Sequence, residues 1–305
     1  MAVLEISHLK KSFGRQTVLN DVSFSVEKGS VFGFIGKNGA GKTTTMNIVL
    51  GLLKAEAGEV KVNGEVVTYG DTNTNRFVGY LPDVPEFYSF LTAREYMQLS
   101  LDVSGIKHPE GSKKISDLLE MVGLEDSKKR ISNYSRGMKQ RLGIAQALIN
   151  DPVLLICDEP TSALDPIGRK QLLSVLEKVK EKTTVVFSTH ILSDVEAVCD
   201  EVAILDQGVI VEQGSLGELK GRLSSKRWSV TLETPEEAVM LQEALGNSGS
   251  VSNVTQKGRI VEGETMEARQ AIRLVMDTLS NLSIVPEKIE RKEPTMEEVF
   301  LEAIK

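Results

Sequence analysis

Three short stretches of the sequence carry side chains that could handle a nucleotide phosphate. The first, residues 36–43, reads GKNGAGKT; it follows an apolar run at 31–35 and precedes a helix-like run at 44–50. Its glycines let backbone N–H groups converge on an anion, and the dipole of the following helix favours negative charge there. Lys42 would supply a cation for the β- and γ-phosphates, and the Thr43 hydroxyl is a natural Mg²⁺ ligand. The stretch predicts a nucleoside triphosphate site formed by Gly36, Asn38, Gly39, Ala40, Gly41, Lys42, Thr43 and Thr44.

The second stretch ends in two adjacent acids, Asp158 and Glu159. They follow the apolar run at 153–157, which is typical of a strand buried on both faces of a parallel sheet. The carboxyl ends of such strands point into the crevice where open α/β sheets bind their ligands. Asp158 suits Mg²⁺, directly or through a water, and Glu159 can orient and polarise an attacking water. The pair therefore predicts hydrolysis of the bound nucleotide.

The third stretch delivers a histidine to the same edge of the predicted sheet. His190 directly follows the apolar run at 184–189. A histidine in a protein is often only a structural residue, but this position at the end of a central strand favours contact with the γ-phosphate.

Length and composition limit what this site can be attached to. The chain has 305 residues, of which 41% are hydrophobic, so we expect about two domains. A net charge of -7 argues against a surface for nucleic acid. Cys157 and Cys199 lack metal-site spacing and are expected to be reduced and buried. No leader opens the chain, and no window approaches the roughly 18 apolar residues that a membrane span needs, so a cytosolic protein is expected.

The elements around the site are predicted from periodicity. Strand-like alternation at 3–9 and 18–26, and an Asn63-Gly64 hairpin between 59–62 and 65–67, indicate an antiparallel layer beside the nucleotide strand. Residues 78–81 form a strand that ends at Pro82. A helical insertion follows, over about residues 83–150, with helices at 92–104, 113–122 and 136–149. Further on, a helix at 166–182 precedes the strand at 184–189, and a hairpin of 201–205 with 209–211 closes the domain.

A second domain is predicted after the polar, linker-like residues 221–225. Its pattern is strand at 227–232, helix at 235–245, strands at 250–255 and 259–262, helix at 268–279 and strand at 284–290. This order is that of a βαββαβ domain. Residues 224–305 contain no cysteine, histidine or phosphate loop, so we interpret them as a regulatory or dimer-supporting module.

The motifs, taken in order, resemble those of the ATP-binding cassette ATPases over about residues 1–220. The matching segments are GKNGAGKT at 36–43, YSRGMKQR at 134–141, LICDEP at 155–160, SALD at 162–165 and His190. The form of the second segment resembles drug, antibiotic and bacteriocin exporters of the ABC-2 kind. The resemblance implies an α/β fold, with a P-loop NTPase core of mainly parallel sheet, an antiparallel β layer, a helical subdomain and a small α+β C-terminal domain at 224–305.

The resemblance also implies roles and partners. ATP and Mg²⁺ would be bound, and two cassettes, expected to be identical, would face each other so that Ser135 and Gly137 meet the γ-phosphate held by the other subunit. A serine at a helix start suits that task. Asp165 would link the two sites across the interface. Phe13 would stack on adenine, although the sequence pattern by itself equally allows it to fill the core.

The chain also departs from the commoner pattern. Asp83 stands where many cassettes have glutamine, and Arg136 and Met138 replace a glycine and a glutamine of the commonest signature. A carboxylate at 83 could still bind Mg²⁺ or orient water, but it cannot donate a hydrogen bond at neutral pH. The aromatic residues at 87–91 lie where the resemblance puts contact with a membrane subunit; packing inside the helical insertion is the alternative.

Two functional classes are consistent with these patterns. The favoured one is an ATPase that drives a membrane-spanning permease, exporting an antibiotic, peptide or other amphiphile, and is peripheral on the inner face of the cell membrane. The alternative is a soluble mechanochemical cassette acting on a ribosome or DNA. Such relatives usually carry two cassettes or a long coiled-coil insertion, which this sequence lacks.

Overall fold

The computed structural model describes residues 2–70, 72–105, 111–223, 227–246, 251–264 and 268–305. The chain divides into two compact units. One runs to Leu216 and includes Ala303–Lys305, and the other is Gly217–Glu302. This division lies a few residues before the boundary predicted at 220. Residues 224 and 225 of the predicted linker, and the start of the strand predicted at 250, lie outside the described residues.

A six-stranded sheet forms the centre of the first unit. Its strands are β3 (Val31–Ile35), β6 (Val78–Leu81), β7 (Leu154–Asp158), β8 (Thr184–Thr189), β9 (Glu201–Asp206) and β10 (Val209–Ser215). The order is β10-β9-β3-β8-β7-β6, and every pairing except β9 with β10 is parallel. Every residue of β3, β7 and β8 is buried, which explains their continuous apolar runs. The predicted α/β core is confirmed, and the carboxyl ends of β3, β8 and β7 lie side by side.

An antiparallel sheet covers this core. It contains β1 (Ala2–Phe13), β2 (Gln16–Glu27), β4 (Ala57–Val62) and β5 (Glu65–Val66) in the order β2-β1-β4-β5. The predicted hairpin at Asn63-Gly64 is confirmed, since both residues have positive φ and Val62 pairs with Glu65. Phe24 of β2 contacts Phe32 and Phe34 of β3, with ring centroids 5.4 and 5.0 Å apart. The apolar side chains between the two sheets fix the position of β3.

Several helices belong to the first unit, and three of those that the structure describes begin at a side-chain cap. The helices are α1 (Lys42–Val49), α2 (Ala93–Val103), α3 (Gly111–Met121), α4 (Arg136–Ala147), α5 (Pro166–Lys180) and α6 (Leu192–Val198), with α7 (Leu216–Arg222) at the boundary. Thr92 and Glu95 form a capping box on α2, and Ser135 and Asp165 cap α4 and α5. The helices α6 and α7 were not predicted, because seven residues are too few for a clear apolar period.

The second unit is a four-stranded antiparallel sheet with helices. Its elements are β11 (Arg227–Thr231), α8 (Pro235–Gly246), β12 (Ser252–Lys257), β13 (Ile260–Glu264), α9 (Ala268–Asn281), β14 (Lys288–Arg291) and α10 (Met296–Ala303), with strand order β12-β13-β11-β14. Trp228 and Val230 of β11 lie in its core. The strand predicted at 284–290 is wrong at its start, because Pro286 cannot donate to a ladder and pairing begins at Lys288.

Candidate functional site

The glycine-rich loop between β3 and α1 lies close to other backbone. A Cβ added at Gly36 would stand 2.6 Å from the carbonyl oxygen of Leu205, and Gly41 has a φ of 114°. Such contacts leave no room for side chains at these two positions. The loop therefore presents its backbone at the end of β3, ahead of the first turn of α1.

Lys42 points back into this loop. Its Nζ donates to the carbonyl oxygens of Gly36 at 2.7 Å and Lys37 at 3.3 Å, and the residue is only 5% exposed. The same Nζ lies 3.1 Å from Oε1 of Glu159. The ammonium is thus held between the loop and the acid at the end of β7.

Asp158 is fixed by hydroxyl groups from two neighbouring elements. Thr43 Oγ1 donates to Asp158 Oδ2 at 2.8 Å, and Ser188 Oγ donates to Asp158 Oδ1 at 2.5 Å. Asp158 is buried, whereas Thr43 is exposed on the first turn of α1. The structure therefore places a hydroxyl and a carboxylate oxygen together beside the loop, and hard cations such as Mg²⁺ prefer oxygen ligands.

Glu159 is held by both its backbone and its side chain. Its N–H donates to the backbone oxygen of Ser188 at 3.0 Å and contacts Ser188 Oγ at 3.2 Å, and its φ of 46° is left-handed. Nδ1 of His190 lies 2.8 Å from Glu159 Oε2. The carboxylate thus stands between Lys42 and His190, and the structure brings these three predicted residues together.

Asp83 belongs to a different set of contacts. Its Oδ1 accepts a hydrogen bond from Ser162 Oγ at 2.5 Å and lies 3.4 Å from an Arg136 nitrogen, while Gln140 Nε2 donates to its backbone oxygen at 2.5 Å. Within the described ranges, no group of three or more histidine, cysteine, aspartate or glutamate side chains is arranged to hold a metal. Asp83 and Asp158 therefore have different side-chain partners: Asp83 contacts Ser162 and Arg136, whereas Asp158 contacts Thr43 and Ser188.

Ser135, Gly137 and Asp165 lie at two adjacent helix starts. Ser135 Oγ accepts from the N–H of Met138 at 3.2 Å, and Asp165 Oδ1 accepts from the N–H of Gly168 at 3.3 Å. A Cβ at Gly137 would stand 3.8 Å from Gly168 Cα, so α4 and α5 approach closely there. In the part of the chain that the structure describes, neither Ser135 nor Asp165 shares a hydrogen bond with the loop at 36–43.

Phe13 ends β1 as a surface residue. Its side chain is 51% exposed, and Lys11 Nζ lies 5.2 Å from the ring centroid. The alternative that Phe13 fills the core is therefore wrong, and an exposed ring fits a stacking role. Three more of the predicted nucleotide-binding residues lie in or just after the glycine-rich loop. Ala40 is buried, Asn38 is exposed and Thr44 is half-buried.

Burial and the acids of the site set the local electrostatics. Burial raises the pKa of Tyr80 on β6 to about 12, and the negative charge of Asp158 is the next largest cause of this shift. This phenol therefore stays neutral at neutral pH. Burial also raises the pKa of the Cys157 thiol well above its usual range. Both cysteines are free and buried, as the sequence predicts, and neither acts as a thiolate at neutral pH.

Sequence reasoning missed the residues that hold the predicted ones in place. Ser188 supports both Asp158 and Glu159, and Gln140 and Ser162 contact Asp83. For Ser188 a signal existed, because a polar residue near the carboxyl end of an otherwise apolar strand next to β7 faces the same edge. For Gln140 and Ser162 no local signal existed, since their partner is distant in sequence.

The loop suits the phosphates of a nucleotide on its own geometry. Gly36 and Gly41 have no side chains, so the backbone of the loop is accessible there. The buried ammonium of Lys42 faces the loop, and helix α1 begins at the same residue. Each of these features favours an anion at the helix start.

Comparisons with known proteins agree with this geometry. Residues 19–162 match the family model described as ABC transporter. The chain is 36% identical over 303 residues to the ABC transporter ATP-binding protein YxlF of Bacillus subtilis, covering 99% of both proteins. It is 39% identical over 244 residues to the bacitracin transport ATP-binding protein BcrA of Bacillus licheniformis, covering 79% of this chain and 78% of that protein.

A solved structure is similar as well. It is a dimeric ATP-binding cassette in a post-hydrolysis state bound to ADP and phosphate, and it matches with a TM-score of 0.62 and 27% identity over 70% of this chain and 98% of that chain. Among the described residues, no helix combines the length and apolarity that crossing a membrane requires.

Proposed function

The chain belongs to the ATP-binding proteins of the ABC transporter family and hydrolyses ATP to energise a membrane permease, and we propose that this permease exports an antibiotic, a peptide or another amphiphile. The naming of a similar protein for bacitracin transport supports the export of such a compound. The observation that carries the catalytic part is the meeting of Lys42 at the start of α1 with Glu159 and His190, which directly follow β7 and β8.

Each of these residues has a distinct role in the proposed mechanism. Lys42 binds the phosphates that the loop backbone surrounds, and so leaves its pair with Glu159. Glu159 orients and polarises the water that attacks the γ-phosphorus as the bond to ADP breaks. His190 orients the carboxylate of Glu159 and contacts the γ-phosphate.

Mg²⁺ is proposed to be held beside the loop by Thr43 and Asp158. Their oxygens are already within 2.8 Å of each other, and Ser188 fixes the carboxylate from its other side. Bound there, the ion would neutralise phosphate charge during hydrolysis. Asp83 remains a predicted ligand only, because its carboxylate contacts Ser162 and Arg136.

We further propose that two identical chains form the working unit. Ser135 caps α4 with its hydroxyl and lacks a hydrogen bond to the loop of its own chain within the described residues, so it is available to a phosphate held by a second chain. Gly137 keeps this helix start free of a bulky side chain, and Asp165 lies beside it at the start of α5. Phe13 is proposed to stack on the adenine.

The permease is proposed to dock on the segment that follows Asp83, which would make the chain peripheral on the inner face of the membrane. The aromatic residues of this segment divide into two groups. Phe87 packs edge-on against Tyr96 of α2, with centroids 5.0 Å apart, whereas Tyr88 and Phe90 are 57% and 64% exposed. Exposed aromatic residues of this kind suit a protein interface.

Transport in membrane vesicles tests this function. The chain would be purified with the membrane subunit that accompanies it and reconstituted into vesicles with the nucleotide-binding side outward. ATP should then drive accumulation of labelled bacitracin or a lantibiotic inside the vesicles, and a Glu159→Gln chain should abolish it. ATP hydrolysis without any membrane subunit, stimulated instead by ribosomes or DNA, would contradict the proposal in favour of a soluble mechanochemical ATPase.

A further inference from the structure

Four side chains connect helix α4 to the segment that carries Glu159. We call them the Asp83 bridge: Arg136 and Gln140 on α4, Asp83 after β6, and Ser162 after β7. Helix α4, Asp83 and Ser162 are far apart in sequence, so the contacts between them exist only in the folded chain.

The α4 end of the bridge depends mainly on Gln140. This residue is fully buried, and its Nε2 donates to the backbone oxygen of Asp83 at 2.5 Å. Arg136 lies one turn earlier on the same helix face and 3.4 Å from Asp83 Oδ1. Both partners of that ion pair are about half exposed, so the pair by itself contributes little to stability. The buried amide therefore fixes the Asp83 segment to α4.

The other end of the bridge reaches the catalytic carboxylate. Ser162 Oγ donates to Asp83 Oδ1 at 2.5 Å, and a hydrogen bond to a charged acceptor is stronger than a neutral one. Ser162 N–H in turn donates to the backbone oxygen of Glu159 at 3.0 Å. Glu159 has a left-handed φ of 46°, a conformation that persists only when its neighbours hold it.

The residue type at 83 fits these partners. The hydroxyl of Ser162 and the guanidinium of Arg136 both act as donors toward it. A carboxylate accepts hydrogen bonds and donates none, so aspartate satisfies both partners at once.

We propose that Asp83 is a positioning residue, which fastens α4 to Ser162 and thereby fixes the carboxylate of Glu159, and that it does not bind Mg²⁺. The inference rests on the proposed function, in which Glu159 orients the attacking water. Thr43 and Asp158 supply the oxygens for the metal, and Asp83 Oδ1 is taken by Ser162. A displacement of about 1 Å in a catalytic group can cost about 100-fold in rate, so loss of the bridge should lower turnover.

The first test measures ATP hydrolysis by the full chain. The variants are Asp83→Ala, Ser162→Ala and the double variant that combines them. We expect each single change to lower kcat about tenfold with less than about a twofold change in KM for ATP, because the lost interaction positions the catalytic group. The double variant should be no slower than the slower single variant, since both changes break one connection. Asp102→Ala and Ser174→Ala, at exposed helical positions, serve as matched controls and should keep wild-type kcat.

Asp83→Asn and a Mg²⁺ titration separate positioning from metal binding. The amide oxygen can still accept from Ser162, so Asp83→Asn should keep kcat within about threefold of wild type. All variants should need the same Mg²⁺ concentration for half-maximal turnover. A tenfold higher Mg²⁺ requirement in Asp83→Asn and Asp83→Ala would overturn the proposal in favour of a metal ligand.

Hydrogen exchange gives a measurement that does not need turnover. The amides of Glu159 and Ser162 are hydrogen-bonded, so a peptide spanning 159–164 should exchange faster in Asp83→Ala and in Ser162→Ala but not in the controls. Unchanged exchange, or rate losses that multiply to about 100-fold in the double variant, would refute the bridge. If the wild-type chain failed to hydrolyse ATP, the assigned role of Glu159 would fail, and the exchange result would still decide whether Asp83 holds this segment.

Discussion

The ammonium of Lys42 lies 3.1 Å from the carboxylate oxygen Oε1 of Glu159, with side chains only 5% and 14% exposed. The two residues are 117 positions apart: Lys42 begins helix α1, and Glu159 directly follows strand β7. Their approach links the residue that binds phosphate to the residue that polarises water.

Glu159→Gln tests the catalytic half of this pair. The amide preserves the shape of the side chain but is a much weaker base, so ATP hydrolysis should fall at least about 100-fold. Nucleotide binding, measured by titration with a fluorescent ATP analogue, should change little. The exposed Glu177→Gln on α5 is the matched control. Wild-type turnover in Glu159→Gln would remove Glu159 from the mechanism.

Ser188→Ala should disturb the support of both acids. Its buried hydroxyl donates to Asp158 and contacts the N–H of Glu159, so its loss should lower the free energy of unfolding by about 1–2 kcal/mol. The Mg²⁺ concentration for half-maximal turnover should rise, because Asp158 loses one of its two hydroxyl partners. Denaturant unfolding and a Mg²⁺ titration measure the two effects, with the exposed Ser174→Ala as control. A stable variant with unchanged Mg²⁺ dependence would show that Ser188 is dispensable.

Two glycines of the loop should differ in their tolerance of alanine. At Gly36 the added Cβ would stand 2.6 Å from the Leu205 carbonyl, so backbone must move and ATP binding should be lost. At Gly39 nothing lies within 4 Å, and only the φ of 83° opposes a side chain, at a cost of about 1–2 kcal/mol. Binding titrations on both variants test this order. Equal losses would mean that contact with β9 does not shape the loop.

The shared active site is tested by mixing two inactive chains. Lys42→Ala removes the phosphate cation, and Ser135→Arg places a bulky side chain at the start of α4. Each variant alone should be nearly inactive. Each active site of a dimer would combine the loop of one chain with the start of α4 of the other chain. In a mixed dimer one site therefore carries both changes and the other carries neither. Part of the activity should return if one intact site can hydrolyse ATP alone.

If both sites must hydrolyse ATP together, mixing restores no activity, and a crosslink tests the shared site instead. Cysteines introduced at Asn38 and Arg136 should join two chains only when ATP is bound. Crosslinking inside one chain without ATP would contradict the shared site.

The single tryptophan of the sequence reports on the second unit. Trp228 is buried in its core, and a Cβ at Gly263 would stand 2.4 Å from the indole ring. Gly263→Ala should therefore lower the stability of this unit by about 1–3 kcal/mol, read from Trp228 fluorescence in denaturant. Gly246→Ala, at the end of α8 where nothing lies within 4 Å and φ is not positive, is the matched control and should leave the transition unchanged. An unchanged fluorescence transition in Gly263→Ala would show that the core adapts.

The sequence alone identified the elements and residues whose signals are local. The glycine loop, the buried strands that end at Asp158 and His190, and the hairpin at Asn63-Gly64 depend on neighbours in the chain, and short-range sterics determine them. The core fold and the placement of Asp158, Glu159 and His190 at the edge that carries the loop followed from one rule, because carboxyl ends of parallel strands share an edge.

Only the tertiary structure decided which distant side chains contact these residues. The sequence left Phe13 open between core and surface, and the fold exposes it, since burial depends on what packs over the end of β1. The partners of Asp83 lie 53, 57 and 79 residues away, and those of Asp158 come from α1 and β8. Such contacts depend on the register between strands and on how α4 packs, which no periodicity within a single segment records.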